Sequence, residues 1–277
     1  MKILITGLHS YVGTHVGEHL IQAGHQVEYM SLRNESWKNS SFIPYDVIFH
    51  VAGIAHVPIK NNKSDLYNKI NYDLTVQLAE KANKENVNHF IFMSSIMVFG
   101  SQGTIKKTTI PNPDNPYGKS KRDAEIALNE IASKTFKVSI IRAPMIYGKN
   151  SKGNFNRLRK FSLKWGLWPE YKNKRSMLYI KNLNLFIEYV VNKKKSGTYH
   201  PQNKEWITTV EMVKHIRELN DKKTYLFRTL NVFVNIGLKY FKTFQKLFGS
   251  FYYEFNDDIL DSFLDLKTSL KEIEQDL

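Results

Sequence analysis

The stretch KILITGLHSYVGTHVGEHL, residues 2–20, decides the fold. Its first five residues form an apolar run that predicts a buried strand. From Gly13 to Ala23 the apolar residues recur at helical spacing, and Gly24 ends the pattern. Gly7 suits the tight turn between the two elements, and Gly13 lets the helix pack closely on the strand. A strand, a glycine-bearing turn and a helix in this order predict a loop that binds phosphate at the helix N-terminus.

The same alternation of strand and helix continues through the first half of the chain. Four further strands are predicted, at QVEYMS (26–31), DVIFHVA (46–52), HFIFMSS (89–95) and KVSIIRA (137–143). Long helices are predicted at residues 65–86 and, with Asn115 as the cap and Pro116 in the first turn, at residues 116–134. Fully apolar strands are typical of parallel sheets, which are covered on both faces. The pattern predicts an α/β fold with a doubly wound parallel sheet.

The second half of the chain is polar, aromatic and basic from Gly148 onward. SMLYI (176–180) and GTYH (197–200) are predicted as strands that return to the sheet, with a helix between them. Thr208 and Glu211 form a capping-box pattern at the start of a further helix. These elements predict a smaller second domain that is partly interleaved with the first.

The length of 277 residues allows one large domain or two modest ones with a real core. We expect a dinucleotide-binding domain and a C-terminal substrate domain. The expected bounds are residues 1–148 with 177–200 for the first domain and residues 149–176 with 201–277 for the second.

Composition narrows the function classes. There is no cysteine, which excludes disulfides, thiolate zinc sites and a cysteine nucleophile. The net charge of +14 indicates an anionic partner or surface. No helix-turn-helix, ribonucleoprotein or zinc-finger pattern accompanies the charge, so we expect that the protein does not bind nucleic acid. The first apolar run is too short for a signal peptide, and no stretch of 18 apolar residues occurs. We expect a cytoplasmic protein.

Within the opening stretch, His15, Glu18 and His19 also match H-x-x-E-H, an inverted zinc-peptidase signature. In a doubly wound fold the N-terminus of this helix points to the ligand crevice, and both histidines lie further along its flank. We therefore favour the phosphate loop over a metal site. Ser10 stands where such loops often carry a middle glycine, and its small side chain can itself donate a hydrogen bond to phosphate.

Tyr117 and Lys121, in YGKSK, lie four residues apart and share one face of the predicted helix. An ammonium near a phenol favours the phenolate, so we expect Lys121 to draw the pKa of Tyr117 toward neutrality. Tyr117 would then serve as a general acid–base. Ser95, at the end of the preceding strand, is placed to bind the oxygen atom that Tyr117 protonates.

At this point the chain resembles the extended short-chain dehydrogenases/reductases, the NAD-dependent epimerase/dehydratase family of Rossmann-fold enzymes that mostly act on nucleotide sugars. The resemblance rests on TGLHSYVG, DVIFHVAG, NYDLT, FMSSIMVFG, YGKSK, IIRAPMIYG and RSMLYIKNL, which follow in family order over about residues 1–185. It implies a catalytic triad of Ser95, Tyr117 and Lys121, with Lys121 also binding the nicotinamide ribose. It further implies cofactor contacts from Gly7, Ser10, Tyr11, Val12, Gly13, Val51, Ala52, Gly53 and Asn71.

Three motifs, HVAGIAHV, SKGNFNRLRKF and NKRSMLYIKNL, resemble a subgroup from bacterial capsule and O-antigen synthesis. Its members reduce the 4-keto group of a UDP-4-keto-6-deoxy-N-acetylhexosamine. This resemblance implies a UDP-sugar substrate whose diphosphate contacts Asn154, Arg175 and, as a weaker candidate, Arg157. A guanidinium suits phosphate because it can make paired hydrogen bonds. The alternative for Arg157 is a solvated position on a basic helix.

The end of the second strand bears on the cofactor. Enzymes that prefer NAD place an acidic residue there for the ribose 2′-hydroxyl, whereas an arginine can accommodate the 2′-phosphate of NADP. Here the position holds Ser31, with Arg33 two residues later. We expect a preference for NADP(H), with NAD(H) as the alternative and a solvent-facing Arg33 as the competing interpretation.

Two other functions are alternatives to a reductase. A 4-epimerase that keeps one NAD bound is the alternative to a reductase, and a non-catalytic NADP sensor is a third hypothesis, although sensors usually lack the tyrosine–lysine pair. The family resemblance implies a homodimer.

Residues 231–249 combine bulky apolar residues with Lys239, Lys242 and Lys246, so this segment either lies on an anionic membrane or packs its aromatic side on the substrate domain.

Overall fold

The computed structural model describes residues 1–55, 63–101, 103–151 and 153–275. His56, Val57 and Lys152, which belong to motifs quoted above, lie outside the described residues. Twelve strands are present in this part of the chain: β1 (Lys2–Thr6), β2 (Gln26–Met30), β3 (Val47–His50), β4 (His89–Ser95), β5 (Gly103–Ile105), β6 (Lys137–Ala143), β7 (Met145–Tyr147), β8 (Leu167–Pro169), β9 (Met177–Tyr179), β10 (Gly197–Tyr199), β11 (Tyr225–Phe227) and β12 (Phe251–Tyr253).

Ten α-helices accompany these strands in the described ranges: α1 (Tyr11–Gln22), α2 (Lys63–Tyr67), α3 (Leu74–Lys84), α4 (Pro116–Ile131), α5 (Asn154–Lys164), α6 (Ile180–Lys193), α7 (Thr209–Glu218), α8 (Asn231–Tyr240), α9 (Lys242–Phe248) and α10 (Leu266–Gln275). A π-helical turn, Asn68–Asp73, joins α2 to α3. No helix of the described residues is long and apolar enough to cross a membrane.

Six parallel strands form the central sheet, in the order β10-β6-β4-β3-β1-β2. The predicted α/β fold with a parallel sheet is confirmed. The strand order reverses between β1 and β3, and in open α/β sheets ligands bind outside the carboxyl ends of the strands at such a switch point. The loops that follow β1 and β3 are therefore the natural walls of a ligand crevice.

One row of side chains explains why the central strands are so apolar. Leu4, Ile48, Phe90 and Val138 are register partners across β1, β3, β4 and β6, and each is at most 3% exposed. They belong to one core cluster with side chains of α3 and α4, which cover this face of the sheet. Burial of an aliphatic or aromatic side chain stabilises by about 1.5–3 kcal/mol, so uninterrupted apolar strands are required here.

The chain forms two compact units. The first comprises Met1–Gly100, Ile110–Ala143 and Leu183–Pro201, and the second comprises Ser101–Thr109, Pro144–Asn182 and Gln202–Leu277. Residues 101–109, 144–148 and 177–182, which the sequence assigned to the first domain, lie in the second unit. The reason is strand pairing, because these residues carry β5, β7 and β9.

The second unit contains three two-stranded sheets, which pair β5 with β12, β7 with β9 and β8 with β11. The prediction that SMLYI returns to the central sheet is wrong, because β9 pairs with β7. GTYH does return, since β10 pairs with β6. The predicted capping box of Thr208 and Glu211 is confirmed at the start of α7. A separate core of this unit contains Trp168, Val210, Val213, Val234 and Phe248.

Two buried histidines make the first unit sensitive to acid. His50 is completely buried and hydrogen-bonds Thr6 Oγ1 (2.7 Å) and Thr75 Oγ1 (2.9 Å). Burial, together with the nearby Lys121 ammonium, lowers the pKa of His50 to about 3. His89 is also buried, and burial lowers its pKa to about 4. Both imidazoles are therefore neutral in the folded protein at neutral pH.

Since these folded-state pKa values lie below the unfolded value of about 6.5, the folded state binds fewer protons. The free energy of unfolding keeps the full contribution of both histidines above about pH 6.5. Below that pH it falls by about 1.4 kcal/mol per pH unit for each histidine. We predict that His50→Gln makes the free energy of unfolding fall less steeply between pH 6 and pH 4, as measured by urea denaturation. His215→Gln is the control, because that side chain is 33% exposed on α7. An unchanged slope in His50→Gln would contradict the assignment.

Candidate active site

The loop between β1 and α1 lies against the loop after β3. Gly7 adopts φ +97°, and a Cβ atom at this position would lie 3.0 Å from the backbone nitrogen of Ala52. The Gly7 N–H donates to the carbonyl of Met30, the last residue of β2. Both the positive φ and the close approach of backbone require glycine here. The ends of β1, β2 and β3 therefore meet at the switch point of the sheet.

The first turn of α1 is built to receive an anion. Ser10 caps the helix, and its hydroxyl accepts a hydrogen bond of 2.9 Å from the backbone nitrogen of Gly13. Because this bond uses a lone pair, the hydroxyl proton stays available for donation. The first turn contains no acidic residue, and the Tyr11 hydroxyl is buried without a hydrogen-bond partner among the described atoms. Free N–H groups and the helix dipole favour negative charge at this end.

Val12 follows in the same turn, and Gly13, also in α1, packs against the loop after β3. A Cβ atom on Gly13 would lie 3.1 Å from Cγ1 of Val51 and 3.3 Å from Cγ2 of Ile5. The turn of α1 is thus held against both strand ends, which leaves its N–H groups at the carboxyl edge of the sheet. These residues fit the diphosphate of a dinucleotide.

Ser31 and Arg33 follow β2 directly. The Ser31 hydroxyl accepts a hydrogen bond of 3.4 Å from the backbone nitrogen of Arg33. Ser31 is half-buried, and the Arg33 residue is exposed. Since the end of β2 lies beside Gly7, both residues follow a strand that borders the phosphate loop.

Helix α4 begins where the sequence predicts, with Asn115 as the cap and Pro116 as its first residue. Its first turn is pressed onto the turn Ile96–Phe99 that follows β4, because a Cβ atom on Gly118 would overlap the carbonyl oxygen of Met97. This contact brings Tyr117 close to Ser95, whose hydroxyl lowers the pKa of the phenol. Ser95 Oγ also accepts a hydrogen bond of 3.2 Å from Met97 N.

The expected effect of Lys121 on Tyr117 is wrong for this structure. Burial raises the pKa of Tyr117 above its usual value, Tyr67 raises it further, and the hydrogen bond from Ser95 is the interaction that lowers it. The Lys121 ammonium instead donates to the carbonyl oxygen of Met93 at 2.8 Å. Tyr117 is therefore a protonated phenol at neutral pH.

Lys121 is itself a buried cation, with only 4% of the residue exposed. Its Nζ atom lies 4.4 Å from the centre of the Phe92 ring. A Cβ atom on Gly53 would lie 3.4 Å from the same Nζ atom. Burial lowers the pKa of Lys121 to about 8, while the Glu125 carboxylate raises it. The ammonium thus lies at the loop after β3, on the same side of the sheet as Tyr117.

Asn71 fixes the position of that loop. Its side chain accepts from Ile54 N at 2.9 Å and donates to Ile54 O at 3.0 Å and to Ser120 Oγ at 3.1 Å. Asn71 is completely buried and lies in the π-helical turn, which interrupts the helix predicted for residues 65–86. π-Helical turns are frequent at functional sites because they redirect side chains. Here the turn ties the β3 loop to α4.

A buried ion pair that the sequence analysis did not identify stabilises α4. Glu125 is 3% exposed and binds the guanidinium of Arg142, from β6, through hydrogen bonds of 2.7–3.2 Å. Ser94 of β4 donates to the same carboxylate. The sequence contains a signal for this pair, because Glu125 lies one helical turn after Lys121 and Arg142 interrupts an apolar strand.

The two histidines of H-x-x-E-H have separate partners. His15 Nδ1 lies 2.9 Å from the carbonyl oxygen of Tyr11 in its own helix, whereas His19 Nε2 lies 2.7 Å from the carboxylate of Glu188 in α6. Among the residues that the structure describes, no group of three or more metal-binding side chains is arranged to hold an ion.

The second unit has its own cavity, at the N-terminal ends of α5 and α7. Asn154 is the first residue of α5, and Arg175 follows the segment after β8. The Arg175 Nη1 atom donates to the carbonyl oxygens of Lys246 (2.8 Å) and Gly249 (3.1 Å). The cavity is lined by Met145, Asn154, Leu158, Arg175, Met177, Ile207, Thr208, Thr209, Met212, Lys246 and Leu247.

Of the three substrate contacts that the resemblance implies, Asn154 and Arg175 line one cavity. Arg157 is exposed and is not among the lining residues. Lys246 does line the cavity. The sequence analysis named this lysine only as part of the basic and apolar segment 231–249. Thr208, noted in the sequence only as a helix cap, lines it too. Lys246 could not be assigned from the sequence because its position depends on how α9 packs against residues far away in the chain.

Comparison with known proteins shows the family of the chain. The NAD dependent epimerase/dehydratase family matches residues 3–201, and the chain belongs to this family. A UDP-glucose 4-epimerase from Vibrio cholerae is 28% identical over 278 residues, which cover 90% of this chain and 82% of that protein. A UDP-2-acetamido-2,6-beta-L-arabino-hexul-4-ose reductase from Pseudomonas aeruginosa is 29% identical over 163 residues, 56% of this chain and 38% of that protein.

A solved structure supports the fold independently of sequence similarity. A human epimerase family protein with NADPH superimposes with a TM-score of 0.81 at 13% sequence identity, and the match covers 100% of both chains. At this identity the similarity establishes the fold alone.

The capping role of Ser10 gives a direct prediction. Ser10→Ala removes the hydrogen bond to Gly13 N and should lower the free energy of unfolding by about 1 kcal/mol, whereas Ser10→Gly should cost only a few tenths of a kcal/mol. Urea denaturation of both variants measures the difference. An unchanged free energy of unfolding in Ser10→Ala would show that the hydroxyl does not stabilise α1.

Proposed function

We propose that the protein is an NADPH-dependent 4-keto reductase of a UDP-4-keto-6-deoxy-N-acetylhexosamine, which supplies a precursor of capsular or other surface polysaccharide. The single observation that carries the choice of reduction is the end of β2, where Ser31 stands in place of an acidic residue and Arg33 is exposed, because a reductase draws hydride from an external cofactor that is commonly NADPH. The subgroup resemblance of the sequence and the similarity to a bacterial hexul-4-ose reductase support the substrate class.

The cofactor would be held by the first unit. Gly7, Ser10 and the first turn of α1 would receive the diphosphate, and the loop of Val51, Ala52 and Gly53 would line the remaining length of the dinucleotide. Hydride transfer is the chemistry that a nicotinamide supplies when it is bound. The protein contributes binding, orientation and charge.

Tyr117 is the proton donor in this proposal. A phenol that remains protonated at neutral pH can donate its proton to the oxygen atom at C4 of the sugar as that oxygen gains negative charge. Ser95 lies close to the phenol and carries a hydroxyl that would hold the same sugar oxygen. The Lys121 ammonium, buried beside Gly53, provides positive charge on that side of the sheet and a donor for the nicotinamide ribose.

The two leading functions require different protonation states of Tyr117 at the start of the cycle. An epimerase must first remove a proton from the C4 hydroxyl, so its tyrosine has to be ionised at the start of the cycle. A reductase only needs a proton donor, which is the state that burial favours for Tyr117. Similarity to a UDP-glucose 4-epimerase over 90% of the chain keeps a UDP-sugar 4-epimerase as the second candidate. A non-catalytic NADP sensor is disfavoured, because the tyrosine, lysine and serine are all present at one sheet edge.

The preference for NADPH rests on the residues after β2. No carboxylate occupies the position of Ser31, so nothing there repels a 2′-phosphate, and the exposed guanidinium of Arg33 can bind it. NADH is the alternative cofactor. The homodimer that the family resemblance implies stays a prediction.

The cavity of the second unit is the proposed site for the UDP diphosphate. Asn154 at the N-terminus of α5, Arg175 and Lys246 provide an amide, a guanidinium and an ammonium around it. Apolar walls from Met145, Met177 and other lining residues suit the flat faces of a base and a sugar.

A paired assay on the purified protein tests the function. One arm offers the UDP-4-keto-6-deoxy-N-acetylhexosamine with NADPH or NADH and follows the loss of reduced-nicotinamide absorbance. The other offers UDP-N-acetylglucosamine with NAD and looks for the C4 epimer. We expect turnover only in the first arm, faster with NADPH, and a loss of at least about 100-fold in kcat for Tyr117→Phe with cofactor affinity retained. Epimer in the second arm without net oxidation would establish the epimerase instead.

Substrate contacts have their own test. We expect Arg175→Ala to raise the KM for the UDP-sugar at least about tenfold, because a charge-assisted hydrogen bond to phosphate contributes about 1.5–3 kcal/mol. Arg157→Ala is the matched control and should leave the KM unchanged, since Arg157 does not line the cavity. Because Arg175 also binds the carbonyls of Lys246 and Gly249, thermal unfolding of both variants is compared. A rise in KM for Arg157→Ala alone would place the diphosphate elsewhere.

A further inference from the structure

Helix α8 has two apolar sides, and only one of them is used in packing. Val234 and Gly237 are buried in the second unit, and Leu238 is packed against its core. On the other side, Val232, Phe233, Ile236 and Tyr240 are 59%, 66%, 49% and 76% exposed. At about 100° per residue these four residues cover an arc of roughly 100°. The aromatic side of the helix therefore does not pack on the second unit.

The exposed side of α8 is continued by β11. All three residues of this strand are exposed, Tyr225 by 54%, Leu226 by 41% and Phe227 by 45%. The turn Arg228–Leu230 leads directly from this strand into α8. We call the set of exposed residues Tyr225, Phe227, Val232, Phe233, Ile236 and Tyr240 the apolar face.

The strand that pairs with β11 and the helix before it also expose bulky apolar residues. Tyr225 is the register partner of Leu167, which is 60% exposed. Trp165 and Phe161, which are 52% and 49% exposed, lie nearby in sequence, with ring centres 6.0 Å apart. Isolated exposed apolar residues are ordinary, but so many bulky ones on adjoining elements mark an interaction surface.

Charge identifies the kind of partner. Residues 157–174 contain six basic residues and one acidic residue, Glu170, which is paired with Arg228. Residues 222–242 contain five basic residues and no acidic one. Lys239 and Lys242 are exposed beside the end of α8. Arg159 is paired with Glu274 and Arg228 with Glu170, and the remaining nine basic residues leave these segments with an excess of positive charge.

This charge decides between the two simplest occupants. A second copy of the chain, bound through the same face in a two-fold dimer, would bring lysines against lysines, and like charges in an interface are unfavourable. An anionic lipid surface offers the opposite charge together with an apolar interior. Lysine side chains can extend to phosphate headgroups while aromatic and aliphatic side chains enter the acyl boundary.

We propose that the apolar face of the second unit binds an anionic lipid surface, with α8 lying in the plane of the interface and Lys239 and Lys242 contacting headgroup phosphates. Association is peripheral and depends both on apolar insertion and on charge. It is independent of the reaction proposed above, since none of these residues belongs to the phosphate loop, the Ser95–Tyr117–Lys121 group or the cavity of the second unit.

Flotation of the full-length protein with lipid vesicles tests the proposal. Wild type is expected to float with vesicles of phosphatidylcholine mixed with phosphatidylglycerol, to float far less with pure phosphatidylcholine, and to be released by high salt. Phe233→Glu/Ile236→Glu is expected to reduce the vesicle-bound fraction at least about tenfold. Ile43→Glu/Ile110→Glu is the matched control, with the same change in charge at residues that are 73% and 80% exposed in the first unit, and should bind as wild type does.

A second variant keeps the test decisive if the glutamates disturb folding. Lys239→Gln/Lys242→Gln retains every apolar side chain, and it should weaken binding to the anionic vesicles without altering the thermal unfolding of the protein. The proposal is overturned if wild type does not bind anionic vesicles, or if the glutamate pair on α8 and the control pair bind equally. It is also overturned if sedimentation shows a dimer that the α8 variants dissociate while vesicle binding is absent, because the face would then join two copies of the chain.

Discussion

The buried carboxylate of Glu125 fixes helix α4 and, through it, the two side chains on which the candidate active site depends. Its partners come from the central sheet, Arg142 from β6 and Ser94 from β4. A buried charge without its partner costs several kcal/mol, so α4 can neither rotate nor slide without breaking these bonds. Lys121 and Tyr117 lie one and two turns earlier on the same face of the helix, and their positions follow from this anchor.

The parallel sheet supplies the second constraint. Because every strand of the central sheet runs in the same direction, the segments that follow β1, β2, β3 and β4 all emerge at one edge. Gly7 touches Ala52 there, and Gly53 lies close to both Asn71 and the Lys121 ammonium. A phosphate loop and a proton donor are thus brought to one edge by strand direction alone, which is why this architecture places ligands at the switch point.

The pKa of Tyr117 depends on the electrostatics of its surroundings as well as on the residue type. The spacing of Tyr117 and Lys121 places them on one face, but burial determines which proton each holds. Burial raises the pKa of the Tyr117 phenol and lowers the pKa of the Lys121 ammonium. The ammonium donates its hydrogen bond to the Met93 carbonyl oxygen. The interaction that the sequence predicted between these two residues is wrong, because the acceptor of the Lys121 hydrogen bond comes from a strand that is distant in the chain.

Local sequence patterns predict strands β1, β4 and β6 to the residue, together with the cap of α4 and the capping box of α7. These features are local, since apolar runs and capping side chains act over a few residues of the same segment. Tertiary structure decided that β9 pairs with β7, that Arg175 shares a cavity with Lys246, and which apolar side of α8 is covered. A short strand or an amphipathic helix can satisfy its own periodicity against several partners, so only packing between distant segments selects one.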